Sequence, residues 1–113
     1  MQHGIYYAYW EREWDGDYKR YIRKVAGLGF DILEIAAGPL PDYTDGELSD
    51  LKNCAEENGI RITVGYGPAP ENNIASADPK VREHALEFYK DLFQRMEKIN
   101  ATLLGGAIYS CWP

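Results

Sequence analysis

Cysteine and histidine are scarce in this chain, with two of each in 113 residues. Cys54 and Cys111 stand far apart without CxxC spacing, which argues against a disulfide framework or a zinc site; both read as free thiols. His3 precedes the first candidate strand and His84 falls within a long candidate helix, so each reads as structural or solvent-exposed. No HExxH, GxSxG, GxGxxG or GxxxxGKS/T motif occurs, and the zinc-hydrolase, nucleophile-elbow and nucleotide-binding classes therefore lack support. No apolar run approaches the roughly 20 residues that span a bilayer. The opening MQHGIYYAYWEREW lacks the basic-then-apolar build of a signal peptide, so the expectation is a cytoplasmic protein with no membrane partner. Positive charge is in deficit too: 12 Lys and Arg against 18 Asp and Glu give a net charge of −6 and a pI near 4.8. That balance disfavours nucleic acid, whose backbone is bound by clustered cations.

Aromatic residues, by contrast, are plentiful, with nine tyrosines and three tryptophans. Tyr6, Tyr7, Tyr9, Trp10 and Trp14 cluster near the start. Such a cluster suits a sugar-like ligand, and a core or a subunit interface would use it equally well. With 45% hydrophobic and 27% charged residues, the composition is that of one globular domain, expected to span residues 1–113.

Residues 5–9 read as a first strand and 10–14 as its loop. Tyr18, Tyr21, Ile22, Val25 and Leu28 then recur at helical spacing, with Asp15 or Asp17 to cap the start and Gly29 to end it. Residues 30–37 (FDILEIAA) form a nearly continuous apolar run, as in a strand buried on both faces. Glu34 interrupts it and must be hydrogen-bonded or paired, whether to a structural partner or within an active site. Thr44 and Glu47 have capping-box spacing, Leu48, Leu51 and Ala55 supply a buried stripe, and Asn58-Gly59 closes that helix. Residues 60–65 form a third strand, and the connection from Tyr66 to about Ala77 is either a binding loop or a surface excursion. Asp78-Pro79 opens a long helix whose apolar face runs through Val81, Ala85, Phe88 or Tyr89, Leu92, Met96 and Ile99. Asn100 ends it, and residues 102–108 make the fourth strand. Glu47, Asp50, Glu56, Glu57, Glu83, Glu87 and Glu97 fall on helices and read as a solvated face.

The order β-α-β-α-β-α-β without hairpin turns calls for parallel strands and right-handed crossovers. The expected fold class is α/β, the N-terminal half of a (β/α)8 TIM barrel, with a doubly wound sheet as the competing architecture. The final GGAIYSCWP at residues 105–113 would place Trp112 at a strand's carboxyl end, either as a wall for a small polar substrate or as a core residue.

Four segments, HGIYYAYWEREW at 3–14, KVAGLGFDILEIAA at 24–37, TVGYGP at 63–68 and GGAIYSCWP at 105–113, resemble in order the N-terminal portion of the ketose 3-epimerases. This is the family of D-psicose (D-allulose) and D-tagatose 3-epimerases. The resemblance implies a xylose isomerase-like barrel inverting C3 of free ketohexoses, such as D-fructose and D-psicose, with manganese or cobalt. It implies two glutamates exchanging protons at C3, and it places them and the metal ligands on later strands, so no catalytic or metal-ligating residue and no bound metal is expected in this chain alone. What it carries over is a substrate wall of Tyr6, Trp14, Gly65, Ala107 and Trp112. These residues by themselves are expected to be inactive, and a homo-oligomer is expected. The alternative is a non-catalytic half-barrel fragment that self-associates or complements another fragment, because an open parallel sheet leaves unpaired edges. A small sugar-binding protein is a third reading.

Overall fold

The computed structural model describes residues 1–111. Four parallel strands alternate with three helices: β1 (Gly4–Tyr6), α1 (Tyr18–Gly27), β2 (Ile32–Ala36), α2 (Asp45–Glu57), β3 (Arg61–Gly65), α3 (Pro79–Lys98) and β4 (Leu104–Gly105). The strands lie in the order β1-β2-β3-β4. Each strand adds beside its predecessor and always in the same direction, whereas a doubly wound sheet reverses at a switch point. The winding is that of the N-terminal part of a TIM barrel.

Local chemistry sets the helices. The Asp17 carboxylate accepts from the Arg20 amide at 3.2 Å, and Asp78 accepts from the Lys80 amide at 2.9 Å. Thr44 and Glu47 form the reciprocal capping box, with the Glu47 amide 3.1 Å from Thr44 Oγ1 and the Thr44 amide 2.8 Å from Glu47 Oε2. All three helices end in the same paired-bond motif, seen in Phe30 N to Val25 O at 3.0 Å, Ile60 N to Ala55 O at 2.9 Å and Ala101 N to Met96 O at 2.9 Å. The left-handed residue this motif requires is Gly29, Gly59 or Asn100.

Side chains alternate across the sheet. Leu33, Ile35, Ile62 and Val64 face the helices and join one buried core with Ile22 and Val25 of α1, Leu48 and Leu51 of α2, and Leu92 and Met96 of α3. Tyr6, Ile32, Glu34 and Thr63 line the opposite, inner side. The acidic residues assigned to a solvated helix face are all exposed, and so is His84. Cys54 is buried and Cys111 partly so, both as free thiols.

The second and third strands are each shorter than expected by one to three residues, at Ile32–Ala36 and Arg61–Gly65, and three further features differ from expectation. The first strand ends at Tyr6 instead of residue 9, because residues Tyr7–Tyr9 turn in a short 3-10 helix. That turn drives the Tyr7 ring into the core, where it meets Tyr6 and Tyr18 edge-on with centroids 4.9 and 5.2 Å away. Leu28, expected on the buried stripe, is 59% exposed, since α1 has already ended at Gly27 and Leu28 is its cap. The fourth strand is two residues long, not seven. Gly106 leaves the ladder at φ 97°, and residues beyond it turn, with the Ser110 amide reaching back to the Ala107 carbonyl at 3.4 Å.

Candidate functional site

Where the strands end, the inner side opens into a cavity of about 450 Å³. Tyr6, Ala36 and Gly65, the last residues of β1, β2 and β3, contribute to its wall, together with Trp14, Gly38, Tyr66, Gly67 and Pro68. Parallel strands point their carboxyl ends the same way, so one rim collects the terminal residue of each, and this is the rim at which TIM barrels bind ligands.

Two loops complete the wall. In the first, Trp10 stacks on Tyr21 with centroids 5.7 Å apart, the Lys24 ammonium lies 4.5 Å over the Trp10 ring, and the Tyr21 hydroxyl donates to Glu11. This anchorage leaves Trp14 76% exposed at the cavity. In the second, Tyr66 stacks on Phe88 at 5.2 Å, and its hydroxyl accepts from buried Asn72 Nδ2 at 2.9 Å. Arg82 fastens the far end of that loop through the carbonyls of Ser76 and Ala77 at 2.7 and 3.1 Å. The long connection is therefore tied to α3 at both ends, and its first residues form part of the cavity.

Of the expected wall residues, Tyr6, Trp14 and Gly65 come together here. Ala107 does not line this cavity; it sits in the turn after β4, because that strand stops short. Trp112 lies outside the described residues. Ala36, Gly38, Tyr66, Gly67 and Pro68 were not singled out from sequence, although they too lie at or just after strand ends, the location that Tyr6 and Gly65, named by the resemblance, share.

The Tyr6 hydroxyl is held above its ordinary pKa, first by burial and next by the negative charge of Glu34. It stays protonated at neutral pH and can donate. Among the described residues no group of three His, Cys, Asp or Glu side chains gathers, so these residues do not fit a manganese or cobalt centre. No helix is long and apolar enough to cross a membrane.

Residues 22–110 match the family of xylose isomerase-like TIM barrels. The chain belongs to that family. It is 60% identical over its whole length to the D-psicose 3-epimerase of Ruminiclostridium cellulolyticum, of which it spans the N-terminal 39%. It is 43% identical to the D-psicose 3-epimerase of Agrobacterium fabrum, again covering 39% of that protein. The crystal structure of the Clostridium cellulolyticum D-psicose 3-epimerase with D-tagatose superposes with a TM-score of 0.98, over 100% of this chain and 39% of that one, at 60% identity. A D-psicose 3-epimerase crystallised in the presence of D-fructose gives 0.96 at 43% identity, with the same coverage of both chains.

Proposed function

We infer that this chain forms the N-terminal part of a metal-dependent ketose 3-epimerase acting on D-fructose, D-psicose or a related ketohexose. In this reading its residues supply the side of the site that holds the sugar. The observation that carries the reading is the cavity of Tyr6, Trp14 and Gly65 at the carboxyl rim of a sheet wound as in the D-psicose 3-epimerases.

A ketose presents both hydroxyls and an apolar C–H surface. Trp14 and Tyr6 cover the latter, while Ala36 and Gly65 leave volume for the ring or open chain. The protonated Tyr6 hydroxyl donates to a sugar oxygen. Together these contacts fix the substrate's position, on which proton transfer at a stereocentre depends steeply. Manganese or cobalt would stabilise the charge that develops on oxygen when the C3 proton leaves. The described residues offer no set of ligands for it, and no proton-transfer step is assigned to them.

The test is to assay 113-residue and full-length proteins on D-fructose and D-psicose, with and without added manganese or cobalt. The full-length protein should interconvert the two, and this chain alone should be inert. Full-length protein inactive on every ketohexose would overturn the reading. Activity of the short chain that a chelator abolishes would overturn the assignment of the chemistry to later strands.

A further inference from the structure

Gly67 borders the cavity at the carboxyl rim, just beyond the end of β3 and immediately before Pro68. A side chain there would meet nothing: among the described residues, no heavy atom beyond its chain neighbours lies within 4 Å of the point where a Cβ would stand. The backbone does not call for glycine either. Gly67 lacks a left-handed φ, and the proline that follows favours extended conformations at position 67, which any residue adopts. Gly106, just past β4, is the contrast, held at φ 97° with the Tyr66 backbone in the place of a Cβ.

The direction a side chain would take follows from the alternation along the chain. Ile62 and Val64 point into the core beneath the helices, and Tyr66 follows them, its ring stacked on Phe88 of α3 at 5.2 Å. The chain is still paired there, since the Tyr66 amide bonds to the Gly105 carbonyl at 3.0 Å. Thr63 and Gly65 face inward, and position 67 continues their row. A Cβ on Gly67 would therefore project over the cavity. Glycine at a position that does not require it costs stability, because it gives the unfolded chain freedom that alanine would remove. What the missing side chain leaves is room in a cavity of about 450 Å³ whose bulk comes from Tyr6 and Trp14.

We propose that Gly67 is a specificity-determining residue of the sugar site, its missing side chain leaving the space that the far end of a six-carbon ketose occupies. The proposal deepens the sugar-site reading and rests on it. That reading assigns the chemistry at C3 to later strands, so the wall built here faces the carbons beyond C3. A ketohexose carries one carbon and one hydroxyl more than a ketopentose at that end, and filling the space at position 67 excludes the longer sugar first.

The experiment compares Gly67→Ala and Gly67→Val in a whole epimerase carrying this N-terminal part. D-psicose is followed by its KM, and the ketopentose D-ribulose by its competition against D-psicose. Gly67→Val should raise the KM for D-psicose about tenfold while the competition constant of D-ribulose stays within about twofold, and Gly67→Ala should shift the ratio less in the same sense. Gly67→Ala should also melt no lower than the wild type. Gly27→Ala is the control: it fills open space on α1, away from the cavity, and should leave the ratio unchanged. An unmoved ratio in the Gly67 variants, or a loss shared equally by both sugars, overturns the proposal. So does a lowered melting temperature in Gly67→Ala, which would make Gly67 a structural glycine; should valine fail to fold, the alanine variant decides both readouts. A wild type that turns over no ketose overturns the sugar-site reading and this proposal with it, whereas an active wild type with an unmoved ratio overturns the proposal alone.

Discussion

Gly106 is pressed against the backbone of Tyr66. A Cβ at position 106 would stand 3.0 Å from the Tyr66 nitrogen and closer still to its carbonyl oxygen, and the glycine has φ 97°. The Tyr66 amide bonds to the Gly105 carbonyl at 3.0 Å, so the crowding occurs where β4 is fastened to β3 and where the cavity wall begins. Gly106→Ala should therefore lose more than about 1 kcal/mol, from strained φ plus the collision. Urea unfolding of the two proteins measures it; equal midpoints would show that the β3–β4 end shifts freely.

Trp14 lines the cavity while largely exposed, so the proposed sugar wall can be tested there apart from folding. Because it is 76% exposed, Trp14→Ala should change stability by less than about 0.5 kcal/mol. Under the proposed function, the same change in a whole epimerase carrying this N-terminal part should raise the ketose KM about tenfold, equivalent to 1.4 kcal/mol of lost binding. Thermal melts and steady-state kinetics on one variant suffice. A normal KM would remove Trp14 from the sugar wall.

The capping box at the start of α2 offers a local test. Thr44→Ala removes the acceptor for the Glu47 amide and should cost about 1 kcal/mol, whereas Thr44→Ser keeps the oxygen and most of the stability. Chemical denaturation distinguishes them, and equal losses in both would point to the threonine methyl instead.

Alkali should unfold the protein through its buried phenols. Burial, followed by the charge of neighbouring groups, pushes Tyr7 and Tyr43 up to about 12 and Tyr18 further. In the unfolded chain these groups ionise near 10. Below that pH their contribution is constant; between pH 10 and about 12 the unfolded state loses protons that the folded state retains, so stability falls as pH rises. Melting temperature measured across that range should drop, and Tyr43→Phe should flatten the fall. An unchanged slope in that variant would mean that Tyr43 titrates normally.

The sequence by itself determined the helices, their caps and the fold class. Asp17, Thr44 with Glu47, Asp78 with Pro79, and the terminators Gly29, Gly59 and Asn100 are satisfied by partners within a few residues, so their meaning is readable locally. The alternation of strands and helices likewise required parallel pairing, whereas Tyr6 and Gly65 were named by the resemblance to the ketose 3-epimerases and only agree with the rule that ligands bind at strand ends.

Only the tertiary structure decided where the edge strands stop. Residues 5–9 and 102–108 have strand-like side chains, yet a ladder persists only while a neighbour supplies hydrogen bonds and packing favours the extended chain. Tyr7 found a better burial by turning toward Tyr18, and Gly106 turned against Tyr66. The strand order and the place of Glu34 were decided the same way. A glutamate in an apolar run announces that it needs a partner, but that its carboxylate fills the space above a glycine 31 positions away is a contact across two strands, which no local pattern encodes.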